Sequence, residues 1–223
     1  MVFGPSDVAP EDWQFLVDLV RRFEAQKEID RDAITAARTL AQASELNSGA
    51  RGARSRDVIM ADNLLRAIGD KMHAVYWAHN AHVSHPPDTR GDRATTGSRL
   101  AEKSSYAGLA LSFREGGFLA QLPNDPQDRL QTFSVPAADD DSIDGVLAPL
   151  GSAIVTWSTD ATSAPAWLTS ARSMHWIGAL FSNQFVSERW SRPSLLLRDY
   201  DGVVVFKHVD AELSDEIGAN RAP

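Results

Sequence analysis

Residues 74–83 read AVYWAHNAHV, an apolar segment that runs directly into histidines. The unbroken apolar run over 74–78 is typical of a short buried strand in a mixed or parallel sheet. The loop that follows carries His79, His82 and His85. In α/β proteins, ligands bind in the crevice beyond the carboxyl ends of the strands. The segment therefore predicts an α/β fold with a candidate site at the end of this strand.

Helices precede this segment, and strands alternate with helices after it. Upstream, apolar residues recur at helical spacing in three predicted helices, the third of which is capped by Ser55. The downstream alternation is typical of an α/β protein whose mixed central sheet is flanked by helices. We expect a single domain over residues 1–213, with a helical lead-in over 1–55, and a flexible tail over 214–223. The other predicted strands are 106–113, 154–157, 176–181 and 203–206, and the predicted helices are 13–23, 31–46, 55–69, 97–103, 142–150, 165–172 and 185–190.

The composition narrows the class of function. The chain has 223 residues, no cysteine, and 22 Lys and Arg against 30 Asp and Glu, which gives a formal net charge of −8. This acidic balance argues against a general nucleic-acid binder, because Lys and Arg carry the affinity for phosphate. No apolar run approaches the roughly 20 residues of a membrane span, and residues 1–10 lack the features of a secretory signal. We expect a cytoplasmic globular protein without disulfides or thiolate metal sites that binds neither nucleic acid nor membranes.

The histidines that follow residue 78 are the first candidates for catalysis. Imidazole titrates near neutral pH and is a natural proton carrier for a hydrolytic step. We predict functional roles for His79 and His82 and expect His85, which precedes two prolines, to be merely exposed. Hydrogen-bonded loop residues are the structural alternative. A metal site is the weaker interpretation, because the spacing is three, no glutamate adjoins and no third ligand is identifiable. We therefore predict neither a metal nor a cofactor.

The third predicted helix carries a second polar group, Arg56, Asp57 and Asn63. Arg56 and Asn63 share one helical stripe, and either would need a partner if buried, because unpaired burial costs free energy. The simpler interpretation is a solvated Arg56 and an Asp57 that interacts with the helix dipole. Gly117, next to Gly116, indicates either a hairpin turn or a close approach of the backbone to a ligand. No Gly-x-Ser-x-Gly elbow, dinucleotide fingerprint or P-loop occurs in the sequence.

Two segments of the chain, taken together, resemble the erythromycin esterase family. Residues 56–63, RDVIMADN, resemble the family's Arg-Asp-x-x-Met-Ala-x-Asn helix, and residues 75–83, VYWAHNAHV, resemble its Trp-Ala-His-Asn-x-His segment. The similarity continues in the same order to about residue 209. It implies hydrolysis of a macrolide lactone or a related carboxylic ester by a histidine-activated water, and with it a role in antibiotic resistance.

The resemblance also implies roles for particular residues. His79 and His82 line the cleft, where they orient substrate or water, or take over as the catalytic base. Arg56 is a buried pairing residue of the motif helix. The positions expected to support the site or bind substrate are Arg56, Asp57, Asn63, Asn80 and Gly117.

One family feature is missing from this sequence. The principal catalytic histidine of the family lies in an upstream Gly-Glu-x-x-His segment, which does not occur here. The chain is also about half the usual length, so it resembles the C-terminal half of an esterase, with an incomplete sheet whose edge or face is either covered by another chain or left exposed. We expect a truncated form, a complementing chain or a homo-oligomer. Three functions stay open: an esterase impaired by the absence of the N-terminal catalytic half, a non-catalytic remnant or small-molecule-binding module, and a metal-dependent hydrolase.

Overall fold

A computed structural model of the protein describes residues 12–26, 31–48, 54–69, 73–86, 94–127, 129–158, 163–184 and 191–211. The chain divides into two compact units, Met1–His73 and Ala74–Pro223. The helix expected over 185–190 and the tail expected over 214–223 lie outside the described residues.

The first unit contains three helices, α1 (Asp12–Glu24), α2 (Arg31–Ser48) and α3 (Arg56–Ile68). Helix α1 packs against α2. Helix α3 begins where the sequence predicts, because the Ser55 side chain accepts a hydrogen bond from the Val58 N–H at 3.4 Å. Such a cap satisfies one of the backbone donors that the first turn of a helix leaves without partners.

The second unit is built on a four-stranded mixed sheet with strand order β2-β1-β6-β3. Strand β1 runs parallel to β6, whereas β2 is antiparallel to β1 and β3 is antiparallel to β6. Strands β4 and β5 form a separate antiparallel pair. The predicted mixed α/β class is confirmed. The elements of this unit are α4 (Asn80–Val83), α5 (Thr96–Lys103), β1 (Leu109–Gln121), β2 (Leu130–Val135), α6 (Ile143–Leu147), β3 (Ala153–Thr156), α7 (Ala166–Thr169), β4 (Arg172–His175), β5 (Ser191–Ser194), α8 (Leu196–Asp199) and β6 (Gly202–Val209).

Strand β6 lies between two neighbours and carries the main core of this unit. Its sequence begins GVVVF, and Val203 and Val205 are fully buried. Such a run of β-branched residues is typical of an interior strand. Ile143 from α6 and Leu196 from α8 belong to the same buried cluster. The core therefore joins the sheet to the short helices α6 and α8.

A buried carboxyl group attaches α6 to the strands. Asp144 is fully buried, and it accepts hydrogen bonds from the Ser112 hydroxyl of β1 and from the His175 N–H of β4. Burial raises the pKa of Asp144, while His175 and the Ser112 hydrogen bond oppose that rise. The hydrogen bond from Ser112 thus compensates part of the cost of placing a carboxylate in the core.

The prediction of a buried strand over residues 74–78 is wrong. These residues form no strand, and Val75 is 94% exposed and Trp77 78% exposed. Only Tyr76 and Ala78 pack against the core of the second unit. The segment thus has two faces, but apolar residues occupy both of them, so the sequence pattern gives no sign that one face is outside.

The strand predicted over 106–113 is too short, because β1 continues through Gly116 and Gly117 to Gln121. At Gly116, β1 leaves its parallel pairing with β6 and begins its antiparallel pairing with β2. Gly116 has φ +126°, and a Cβ there would lie 2.0 Å from the Val209 carbonyl oxygen. Only glycine fits both that backbone angle and that close approach. The glycines therefore serve strand pairing rather than a hairpin turn.

The strand expected over 176–181 is displaced toward the N-terminus. Strand β4 ends at His175, and only Leu180 forms an isolated bridge, with Gln121 of β1. Phe181 is buried in a second apolar cluster with Phe133. The apolar run reflects this cluster and the ring contacts of Trp176 rather than a continuous strand.

Replacing Ser112 by alanine tests the buried carboxyl group. The variant leaves an oxygen of Asp144 without its donor, and we expect a loss of about 1–3 kcal/mol in the free energy of unfolding near pH 7. The loss should shrink at lower pH. Ser112→Ala raises the folded-state pKa of Asp144 further, and a raised folded-state pKa stabilises the protein fully only below the unfolded-state pKa. Urea denaturation at several pH values measures the effect.

Ser134→Ala is the matched control, because Ser134 lies on β2 and is exposed. A loss in Ser112→Ala that equals the loss in Ser134→Ala at every pH would contradict this account of Asp144.

Candidate functional site

The histidine segment forms a single tight turn in the second unit. His79 is the N-cap of α4, and its ring nitrogen Nδ1 accepts a hydrogen bond from the Ala81 N–H at 3.1 Å. The His82 N–H donates to the His79 carbonyl at 2.8 Å. The two rings lie 6.5 Å apart between centroids, and both side chains are half-buried. The turn thus brings His79 and His82 close together.

Asn80 holds this turn against β1. Its side chain is 5% exposed; Nδ2 donates to the Leu111 carbonyl at 2.7 Å, and Oδ1 accepts from the Leu111 N–H at 2.8 Å. Strand β2 pairs with β1 only from Gly116 onward, so the Asn80 amide supplies at Leu111 the two hydrogen bonds that a strand would supply. Both polar ends of the side chain are engaged, which makes Asn80 a positioning residue.

The far end of the turn is fixed as firmly. The Tyr106 hydroxyl donates to the Val83 carbonyl at 2.7 Å, and the Thr95 hydroxyl donates to the Ser84 carbonyl at 2.8 Å. A Cβ at Gly97 would lie 2.6 Å from those same two carbonyl oxygens. The first turn of α5 therefore packs directly on the backbone after α4, which limits movement of the histidines.

The surroundings of His79 keep its ring neutral. Burial lowers the pKa of His79, and the nearby charges of His82 and Arg192 lower it further, while the backbone of Trp176 and Ile177 partly opposes this. Because Nδ1 accepts a hydrogen bond, the proton of the neutral ring resides on Nε2. His79 therefore presents an N–H donor. Nε2 is buried and makes no hydrogen bond of good geometry with any described residue.

Trp176 and Arg192 adjoin this ring, and the sequence analysis missed both. The Trp176 ring meets His79 edge to face at 5.8 Å between centroids, and the Arg192 guanidinium carbon lies 5.8 Å from the centroid of the Trp176 ring. The pairing of β4 with β5 brings the two residues together, since Met174 faces Arg192. These residues are separated by long stretches of sequence, and no local motif marks them.

His85 is not merely exposed, as the sequence suggested. Its Nε2 lies 2.5 Å from Oδ2 of Asp201, and the same carboxylate oxygen accepts from the Gly108 N–H at 2.7 Å. The His85 N–H donates to the Asp199 carbonyl at 2.9 Å. His85 therefore ties the end of the histidine loop to the segments that precede β1 and β6.

The polar residues of α3 belong to the first unit. Arg56 is exposed, in contrast to the buried pairing residue that the resemblance implied. Arg54 instead forms the ion pair: it bonds Glu45, which is 2% exposed, at 2.8 Å and Asp62 at 3.0 Å. Burial alone raises the pKa of Glu45, but the hydrogen bonds and charge of Arg54 lower it overall.

The remaining supporting candidates have structural surroundings. Asn63 exchanges two hydrogen bonds with Gln42, at 2.8 and 3.0 Å. Asp57 lies half-buried in the first turn of α3. Gly117 lies opposite Ser134 in the sheet, and a Cβ there would be 3.1 Å from the Ala211 nitrogen. Among the described residues, the histidine turn lines neither a cavity of about 610 Å³ beside Asp125 nor one of about 420 Å³ in the first unit.

Two negative findings concern the residues that the structure describes. Within them, no group of three His, Cys, Asp or Glu side chains is placed to hold a metal ion. None of the described helices is both long and apolar enough to cross a bilayer.

A comparison with models of known protein families identifies the family of this chain. The family model described as erythromycin esterase matches residues 9–209. The chain belongs to the erythromycin esterase family. The match contains both the α3 motif and the histidine turn, the two segments on which the resemblance was recognised.

Two solved structures share the fold of this chain. A crystal structure of a Bacillus cereus protein superposes with a TM-score of 0.69 at 14% identity, covering 91% of this chain and 53% of that one. A crystal structure described as a succinoglycan biosynthesis protein gives a TM-score of 0.67 at 16% identity, covering 91% and 51%. The chain thus spans about half the length of these structures. No curated protein matches it.

The tautomer and pKa of His79 can be measured by ¹⁵N NMR of the imidazole nitrogens. We expect the ring to be neutral with the proton on Nε2, and to titrate below the ordinary value of 6.5. Because this folded-state pKa is depressed, stability should fall as the pH drops from that ordinary value toward the lower one. His79→Gln identifies the resonances. A proton on Nδ1 at neutral pH would contradict the capping hydrogen bond.

Proposed function

We propose that this member of the erythromycin esterase family hydrolyses a carboxylic ester at the His79–His82 turn, with a macrolide lactone as the favoured substrate class. The observation that carries the proposal is the pair of half-buried imidazoles, held 6.5 Å apart by a rigid turn. Family membership supports a hydrolase-like fold, and the turn supplies groups that ester hydrolysis needs.

The two rings take different roles in this proposal. His79 presents an N–H and so acts as the donor that polarises the ester carbonyl. His82 acts as the base: it takes a proton from water, and the hydroxide oxygen bonds to the carbonyl carbon. Collapse of the tetrahedral intermediate breaks the bond to the alcohol oxygen, which receives the proton from His82. The products are a carboxylic acid and an alcohol.

A second candidate function is binding without catalysis. The sequence lacks the Gly-Glu-x-x-His segment that the family resemblance led us to expect. A chain that retains only the histidine turn would bind an ester and leave the missing base to a complementing chain. This alternative predicts saturable binding of a macrolide by the purified chain without turnover.

Hydrolysis of 4-nitrophenyl acetate and of erythromycin by the purified chain tests the proposal. We expect His82→Ala to lower kcat by about 100-fold or more, since a general base contributes about 100- to 10,000-fold. His79→Ala should lower kcat by about 100-fold as well, because it removes a donor to the developing oxyanion.

His208→Ala is the matched control, because His208 is an exposed histidine on β6. Activity unchanged in both His79→Ala and His82→Ala would exclude the turn as the active centre. Binding of erythromycin without hydrolysis would favour the second candidate.

A further inference from the structure

Two buried N–H groups that make no hydrogen bond of good geometry lie on adjacent rings at the histidine turn. Nε2 of His79 and Nε1 of Trp176 are both buried side-chain nitrogens without such a bond to the described residues, although the backbone of Trp176 and Ile177 lies close enough to the His79 ring to oppose part of the lowering of its pKa. The two rings meet edge to face at 5.8 Å. Buried polar groups in folded proteins nearly always have partners, so an unpaired donor calls for an explanation. Two such donors on neighbouring rings suggest a single ligand that binds both.

Both groups are donors, so the ligand that satisfies them is an acceptor. Indole Nε1 can only donate, and His79 donates through Nε2 because its Nδ1 accepts from Ala81. A cation belongs to the same cluster, since the Arg192 guanidinium lies over the Trp176 ring at 5.8 Å from its centroid. An acceptor that carries negative charge would bind the two donors and would be favoured by the nearby positive charge.

We propose that His79, Trp176 and Arg192 form a binding site for a carboxyl group, either the carboxylate product or the carbonyl oxygen of the ester. The choice of a carboxyl ligand rests on the proposed function, whereas the anion preference rests on the three side chains. Trp176 directly follows β4, Arg192 lies on the partner strand β5, and both side chains are half-buried. Trp176 and Arg192 thus join the site as binding residues.

The indole N–H of Trp176 reports the binding directly. The chain has six tryptophans, whose ¹⁵N–¹H indole resonances can be followed in the full-length protein while sodium acetate is added, with sodium chloride at equal ionic strength as reference. We expect one resonance, absent in Trp176→Phe, to shift downfield and saturate with acetate. Trp157 is the internal control, because its indole already donates to the Tyr200 carbonyl at 3.1 Å.

The role of Arg192 follows from the same titration. Arg192→Gln should weaken acetate binding by about tenfold, as expected for the loss of one charge-assisted hydrogen bond. Arg129→Gln is the matched control, because the Arg129 side chain is 66% exposed and pairs with Asp125. N-methylacetamide, added in place of acetate, distinguishes the two forms of the ligand: a shift with this neutral carbonyl supports the ester carbonyl, and a shift with acetate alone supports the carboxylate.

The outcomes separate this inference from the proposed function. A Trp176 resonance that responds to neither acetate nor N-methylacetamide, or that responds equally to chloride, overturns the carboxyl site even if the chain hydrolyses esters. A saturable acetate shift in a chain without esterase activity supports the site and removes the hydrolase. Loss of the shift in Arg192→Gln together with a normal shift in Arg129→Gln confirms the guanidinium as a binding group.

Discussion

The Asn80 side chain takes the place of a neighbouring strand along β1, and the position of both histidines depends on it. Its amide makes two hydrogen bonds to the backbone of Leu111, at 2.7 and 2.8 Å. His79 precedes Asn80 and His82 follows it within the same turn, so neither ring can move far while the amide stays bound. The asparagine of the His-Asn-x-His segment is therefore the structural centre of the motif, and the histidines on either side are the groups that it presents.

Neutrality of His79 is the second consequence of this arrangement. An imidazole that accepts the Ala81 N–H on Nδ1 carries its proton on Nε2, and burial lowers its pKa. The same ring cannot at once donate from that nitrogen and remove a proton with it. Any hydrolytic chemistry at the turn must therefore divide the roles between two groups, and the neighbouring ring of His82 is the one that the turn brings near.

The sequence predicts the fold class and the start of α3 well, because local signals encode both: alternating elements and the Ser55 cap. It places the histidines in a loop after a strand, whereas the structure has the short helix α4 there. Sequence-based prediction fails where contacts between residues far apart in the chain determine the structure. Because both faces of residues 74–78 are apolar, the sequence predicts a buried strand, whereas Val75 and Trp77 are exposed. Gly116 is the position at which β1 changes its partner from β6 to β2, not a turn. Trp176 and Arg192 reach His79 only through strand pairing. Arg54, not Arg56, pairs with the buried Glu45, a distinction that helical periodicity cannot make.

Native-state hydrogen exchange at the Leu111 amide tests the role of Asn80 most directly. In the wild-type protein this amide donates to the Asn80 side chain, so it should exchange slowly. In Asn80→Ala it should lose protection, while the amide of Ser112, which points toward the opposite edge of β1 by the alternation of a strand, stays protected. Asn183→Ala, at an exposed turn position, should leave both amides unchanged. Equal protection of Leu111 in Asn80→Ala and the wild-type protein would contradict the account.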